Sequence, residues 1–398
     1  MDFSLTNDQI LIRNTVRQFM ETEMRPVLRE YEREERFPAD EVRRLGELGC
    51  CGMLVPEEWG GSGTDTISYV LMLEEVARVD ASTAVTLSVT NSVVAVPIWR
   101  HGSAVQRNKY LPRLCRGEIL GAFCVTEPQA GSDSAALRTL ASRDGGDYIL
   151  NGTKSWVTNG GVSGVYLVLA KTDPSAGARG ITAFLVEPSF SGFHISRYED
   201  KMGLRLSRSA EIVFQDCRVA AKNRLGEEGQ GLGIALEALD SGRIGIAAQS
   251  VGLAQGALEG AVRHAKQRTA FGHAIADYQA IQWMLADMQV EIEASRLLTH
   301  YAAFLRDAEL AGPARPEPVI TTGARRAGAH ASRAKLYASE VANRVAYRAV
   351  QIHGALGYSR ETDVERFYRD ARVLTIYEGT SEMQRTVIAR DLLRAGRG

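Results

Sequence analysis

The periodicity of the chain changes twice, and this limits its architecture more than any single motif. From about Asn7 to Arg116 the apolar residues recur at helical spacing. Ile10, Val16, Phe19 and Met20 fall roughly on one face, with charged residues between them. Residues 66–78 and 82–99 continue this style. The second run is almost wholly apolar and is expected to be a buried helix. Pro38 and Pro56 stand at helix boundaries. At Leu120 the texture turns to short β-rich runs at 122–126, 148–151, 165–170, 181–186 and 210–214. Turn sequences such as Asp144-Gly145-Gly146-Asp147 and Asn151-Gly152 separate them. From about Leu232 the helical period returns, with Leu253, Ala257, Ala261 and Ala265 at four-residue spacing. Further helices are expected over 278–307, 323–353 and 380–393. Pro313, Pro316 and Pro318 make 310–322 an exposed loop. The fold class is therefore α+β. An N-terminal α-helical domain spans 1–119, a small middle antiparallel, β-barrel-like domain spans 120–230, and a C-terminal four-helix bundle spans 231–398.

Composition narrows the function classes. The chain has 398 residues, 45% of them hydrophobic, enough for a sizeable core. A formal net charge of −1 argues against a nucleic-acid scaffold or a polybasic membrane anchor. Cys50, Cys51, Cys115, Cys124 and Cys217 form no C-x-x-C pair, so neither a zinc site nor a disulfide framework is suggested; a reducing cytoplasm is expected. The start, Met1-Asp2-Phe3-Ser4, carries no signal-peptide pattern, and no apolar run is expected to reach membrane-spanning length. Gly229-x-Gly231-x-Gly233 lacks the βαβ setting of a dinucleotide fingerprint. There is no H-E-x-x-H, and the stretch around Ser163 lacks the spacing of a nucleophile elbow.

Several stretches combine residues that chemistry needs. In Tyr377-Glu378-Gly379-Thr380 a carboxylate lies between an aromatic and a glycine, ahead of a helix. Desolvation by the ring raises a carboxylate's proton affinity, which suits a general base, and glycine lets backbone approach a ligand. A turn and helix start is the competing reading. Phe123 to Asp133 runs from a strand into a loop rich in hydroxyls and small residues, able to present N–H groups to a polar ring or phosphate. In Asn151 to Asn159, Trp156 can pack on a flat cofactor and Thr158 can bond its edge; core packing is the alternative. Asp240-Ser241-Gly242-Arg243 reads equally as a solvated helix-face pair. Arg268 with Phe271 and Gly272 closes a helix and offers a phosphate ligand. The glycines after Gln351-Ile352-His353 end a helix or admit a pyrophosphate.

Taken in order, these motifs resemble the acyl-CoA dehydrogenase family over nearly the whole chain. The matching pieces are Val125-Thr126-Glu127-Pro128 with Gly131-Ser132-Asp133, Asn151-Gly152-Thr153-Lys154, Arg268-x-x-Phe271-Gly272, Gln351-x-x-Gly354 and Tyr377-Glu378-Gly379-Thr380. Asp240-x-Gly242-Arg243-Ile244-Gly245-Ile246-Ala247 and Thr380-Ser381-Glu382 are closest to the short-chain and short/branched-chain members. The resemblance implies a homotetramer, a dimer of dimers, with one FAD per subunit. It implies that Phe123, Val125, Thr126, Ser132, Trp156, Val157 and Thr158 line the isoalloxazine. Arg268, Phe271 and Gln279 would reach the FAD of a neighbouring subunit. Gln351, Ile352, His353, Gly354 and Ala355 would face the pyrophosphate and adenosine across the dimer. Thr380, Ser381 and Glu382 would contact their own subunit's FAD. Ser132, Asp240, Ser241, Gly242, Arg243 and Gly379 would touch the CoA thioester. In the isovaleryl and long-chain branches the catalytic glutamate sits at the position of Gly242, so the resemblance assigns the base here to Glu378. Two departures stand out. The stretch 306–334 is longer than the family's usual link, and His353 replaces an aliphatic or aromatic residue.

The implied reaction is α,β-dehydrogenation of an acyl-CoA to a trans-2-enoyl-CoA, in fatty-acid or branched-chain amino-acid breakdown. Electrons would pass to electron-transfer flavoprotein. The alternatives are a carrier-protein-bound acyl substrate in a biosynthetic pathway, an acyl-CoA oxidase, and a non-catalytic assembly or binding protein of the same fold.

Overall fold

The computed structural model describes residues 4–310 and 327–395. Seven helices come first: α1 (Asn7–Phe19), α2 (Arg25–Glu34), α3 (Ala39–Glu47), α4 (Thr66–Val79), α5 (Ala81–Ser88), α6 (Val96–His101) and α7 (Ala104–Cys115). Eight strands follow: β1 (Leu120–Cys124), β2 (Leu140–Asp144), β3 (Asp147–Thr158), β4 (Ser163–Lys171), β5 (Ile181–Val186), β6 (Phe193–Tyr198), β7 (Ser209–Ala220) and β8 (Arg224–Leu225). The chain then returns to helix. It forms α8 (Gly231–Gln267), a short hairpin β9 (Thr269–Ala270) and β10 (His273–Ala274), then α9 (Gln279–Leu310), α10 (Ala327–His353), α11 (Asp363–Ala371) and α12 (Ser381–Ala395). The α+β expectation holds. Beyond Leu310, the proline-bearing loop expected over 310–322 lies outside the described residues.

Two expectations are corrected. The sheet is mixed rather than antiparallel: β1 pairs parallel with β4, and β2 meets β4 in parallel at Leu140–Lys171. The β2–β3 hairpin lies between β1 and β4 in the chain and carries it back, so the two strands run the same way. Nor does the sheet close: it runs β6-β7-β3-β2-β4-β5-β8, and β6 and β8 end the path among the described residues. The second correction concerns the apolar run at 82–99. The helical stretch Ala81–His101 is long and apolar enough to cross a membrane, but all of its apolar window is buried inside the protein.

That stretch is the spine of the molecule. Asp80 caps it, its carboxylate accepting from the Ser82 and Thr83 N–H groups at 3.2 and 2.8 Å. Between α5 and α6 the residues Val89–Ala95 form a π-helical turn. Pro97 follows immediately and has no N–H to donate, and a shift of register relieves its ring against the preceding carbonyls. Strand β4 shows why its sequence is a continuous apolar run. Val165, Leu167 and Leu169 pack into the core shared with the helices, while Tyr166, Val168 and Ala170 pack into the sheet's own core. A strand buried on both faces has no polar alternation.

Candidate functional site

Glu378 stands on the short segment between α11 and α12, and its backbone is left-handed at φ 52°. Gly379 follows at φ 88°. A non-glycine residue in this region costs roughly 1–2 kcal/mol, so the surroundings must hold it there. They do so with two donors. Gln384 Nε2, one turn into α12, donates to the Glu378 and Gly379 carbonyls at 3.1 and 2.8 Å. Lys335 Nζ, from α10, donates to the same Gly379 carbonyl at 2.8 Å. Thr380 starts α12, its hydroxyl accepting from the Met383 N–H at 3.3 Å.

The carboxylate aimed by this turn has little to bond. Glu378 Oε2 is buried with no hydrogen-bond partner among the described residues. Burial pushes the carboxyl up to about 7, against the opposing charges of Arg243 and Lys335. The floor beneath it is Gly242 on α8. A Cβ placed there would lie 2.6 Å from Glu378 Oε2 and 3.2 Å from Val93 Cγ1 of the π-helical turn. Position 242 and the Glu378 side chain therefore face the same space, and of the two only Glu378 carries a carboxyl group. Gly242→Ala should displace the carboxylate without upsetting the fold, because the obstacle is the end of a side chain. A misplaced base of this kind costs about 10–100-fold in rate. Stopped-flow flavin reduction with unchanged flavin content checks this.

Around the turn the packing is polar. The Tyr377 hydroxyl donates to Gln249 Oε1, and burial raises its pKa well above the usual phenol value. The Tyr69 hydroxyl pairs with Ser88 Oγ at 3.0 Å. Arg243 Nη1 bonds Asp240 at 2.5 Å, and burial raises the Asp240 carboxyl. The Asp240–Arg243 pair is thus partly enclosed beside Gly242, not on an open helix face. A cavity of about 380 Å³ opens nearby between α4, α6 and the end of α9; its walls include Ser241 and Tyr69 but not Glu378.

The strands bring a second group together. The Ser155 N–H donates to the Thr126 carbonyl at 2.9 Å, which joins β3 to the loop after β1. Trp156 stands beside that junction at φ 58° and is 60% exposed. Val157 beneath it is buried, while Phe123 and Thr158 are half-buried and Ser132 is exposed. An ion pair props up this corner: Lys154 Nζ lies 2.7 Å from Glu127, both side chains buried. Burial pushes the Glu127 carboxyl up, but Lys154, the Thr139 hydroxyl and the Arg138 N–H outweigh it and bring it down to about 2. Asn159 Nδ2 then bonds the Thr86 and Gly121 carbonyls, fastening β1 and β3 to α5. Through Val93 the spine reaches Gly242 and, beside it, the Glu378 carboxylate, so the candidates around Trp156 and Glu378 share one support.

A third group lies at the far end of the bundle. The rings of His264 and His353 stack at 4.2 Å, joining the ends of α8 and α10. This sets Arg268, Phe271 and Gln279 at the same end as Gln351, Gly354 and Ala355, all exposed; Phe271 is 95% exposed. Ile352 and His353 point inward instead, and His353 Nδ1 bonds the Ala349 carbonyl at 2.8 Å. Ser381 is buried and Glu382 exposed at the head of α12.

These surfaces fit a flavin nucleotide. An uncovered indole, an uncovered phenyl ring, and open space over Gly131, Gly272 and Gly354 are what a flat, phosphate-bearing cofactor would cover. Comparison with known proteins agrees. Residues 6–118, 122–217 and 229–393 match the N-terminal, middle and C-terminal domains of acyl-CoA dehydrogenase. The short-chain specific acyl-CoA dehydrogenase of Clostridium acetobutylicum is 43% identical over 394 residues, covering 99% of this chain and all of that one. The chain belongs to the acyl-CoA dehydrogenase family. It is an FAD-dependent oxidoreductase acting on acyl-CoA. Butyryl-CoA dehydrogenase from Megasphaera elsdenii superposes with a TM-score of 0.93 at 43% identity, over 99% of this chain and 100% of that one. A chain solved in work on the electron transferring flavoprotein of Acidaminococcus fermentans superposes at 0.94, with the same identity and coverage.

Sequence reasoning missed Lys335 and Gln384. Lys335 carried a signal: it interrupts the small-residue stripe Ala331, Ala334, Ala338 and Ala342, where a charge is out of place. Gln384 carried none.

Proposed function

We propose that this acyl-CoA dehydrogenase acts on short or short-branched acyl-CoA thioesters, with Glu378 as the base that takes the α proton. The observation that supports this best is the partnerless, buried Oε2 of Glu378 over Gly242. A carboxylate desolvated by burial binds a proton more strongly, which is what abstraction from a weak carbon acid requires. The Glu378 N–H and Arg243 would stabilise the charge that develops on the thioester. FAD, when bound, takes up the hydride equivalent from the β carbon. Phe123, Val125, Thr126, Ser132, Trp156, Val157 and Thr158 would hold its ring system, and Thr380, Ser381 and Glu382 its near side. Arg268, Phe271, Gln279 and the 351–355 segment would serve a neighbouring subunit.

Short chains are supported by the names of the relatives and by Val93 standing close over Gly242. Electron-transfer flavoprotein is the proposed electron acceptor. A homotetramer is supported by α9, where Trp283, Val290, Leu297 and Phe304 repeat at seven-residue spacing on an exposed face. Five free, buried thiols suit a reducing compartment such as the cytoplasm.

Anaerobic flavin bleaching with butyryl-, 2-methylbutyryl-, isovaleryl-, hexanoyl- and octanoyl-CoA tests the substrate class. The four- and five-carbon substrates should reduce the flavin fastest; a maximum at octanoyl-CoA overturns the assignment. The same half-reaction should depend on pH. Glu378 works only when ionised, so the rate should fall about tenfold per unit as pH drops below about 7.

A further inference from the structure

Lys335 is wholly buried on α10, a rare setting for an ammonium group. A buried lysine normally keeps its charge by pairing with a carboxylate, as Lys154 does with Glu127. Among the described residues, the hydrogen bond of Lys335 goes to a backbone carbonyl instead, that of Gly379, next to Glu378. The same oxygen accepts from Gln384, so the Gly379 carbonyl is held from two helices. We propose that Lys335 is a positioning residue: its ammonium pins the left-handed Glu378–Gly379 turn and sets a positive charge facing the Glu378 carboxylate. The proposal rests on the reading of Glu378 as the base.

The electrostatics follow from the groups around the carboxylate. Arg243 faces it from α8 and Lys335 from α10, and both favour its ionised form. Tyr377 on its own segment and Tyr69 on α4 also face it, but burial raises both phenols and keeps them neutral. Glu382 and Glu340 act on Lys335, whose own pKa burial lowers to about 8. Burial alone would hold Glu378 protonated in the neutral range. The two cations oppose this, and Lys335 does so while fixing the direction of the side chain. An apolar residue at 335 would therefore harm the base twice, by freeing the turn and by raising its proton affinity.

The test uses the FAD-loaded protein with Lys335→Met, Lys335→Gln and Lys335→Arg. The first readout is an infrared titration without acyl-CoA, following the carboxyl stretch that disappears in Glu378→Gln. The second is the pH profile of flavin reduction by butyryl-CoA. In Lys335→Met and Lys335→Gln the Glu378 midpoint should rise by about one unit or more. The acidic limb of the rate should move with it. Lys335→Arg should keep the wild-type midpoint. Above the shifted limb, Lys335→Gln should recover most of the rate because it retains a donor, whereas Lys335→Met should stay about tenfold slower. An unmoved midpoint in both uncharged variants overturns the proposal, even if they lose rate, since a merely structural lysine would do that. If the midpoint moves but Glu378→Gln still reduces flavin at the wild-type rate, the base assignment fails and the charge placement stands.

Discussion

Glu378→Gln should bind FAD and acyl-CoA as the wild type does and leave the flavin oxidised. The amide fills the same space over Gly242 but cannot take a proton, so flavin reduction should fall by about 10²–10⁴-fold, the usual worth of a positioned base. Anaerobic stopped-flow reads this directly. The fold should not suffer. Burial raises the Glu378 carboxyl to about 7, so its ionisation disfavours the folded state as pH rises from the unfolded value through 7. The variant lacks that charge. It should melt no lower than wild type at pH 5 and somewhat higher at pH 8. Wild-type bleaching rates in the variant would sink the assignment. A variant that neither melts cooperatively nor holds flavin would instead point to a structural role for the carboxylate.

The second large effect is on stability. Lys154→Met should leave the Glu127 carboxylate buried without its cation. Breaking a buried pair on one side costs about 3–5 kcal/mol. Melting temperature should drop by several degrees. Trp156, two residues along β3, should lose its fixed place, and bound flavin should be released more readily. The double variant Glu127→Gln, Lys154→Met should recover part of the loss, because it removes the unpaired charge and the amide oxygen still accepts from the Thr139 hydroxyl and N–H now bonded to Glu127 Oε1. Equal destabilisation in the single and double variants would show that packing, not uncompensated charge, sets the cost.

Much of this site was legible in the linear chain because its chemistry is local. Glu378 and Gly379 are neighbours, and with Tyr377 and Thr380 they already describe a carboxylate on a tight turn. The helical stretches were legible for the same reason, since each reports its own period. The sheet was less so. Strand β1 looks like any short apolar run, and its parallel pairing with β4 depends on where the β2–β3 hairpin delivers the chain. The π-helical turn at Val89–Ala95 was also invisible, although Pro97 is its cause.

The sequence by itself determined the order of helix, strand and helix, the placing of a carboxylate beside a glycine at Glu378–Gly379, and the absence of one at Gly242. Local periodicity and side-chain identity carry these. Only the tertiary structure decided that Gly242 lies under Glu378 Oε2, that Lys335 and Gln384 clamp the Gly379 carbonyl, and that Lys154 neutralises Glu127. Apart from Gln384, five residues beyond Gly379, these contacts join residues 27 to 136 positions apart in the chain. A proton affinity set by burial and by charges on other helices has no counterpart in the order of residues. It comes into being when α8, α10 and α12 close around one carboxylate and shut out the water that would otherwise set its value.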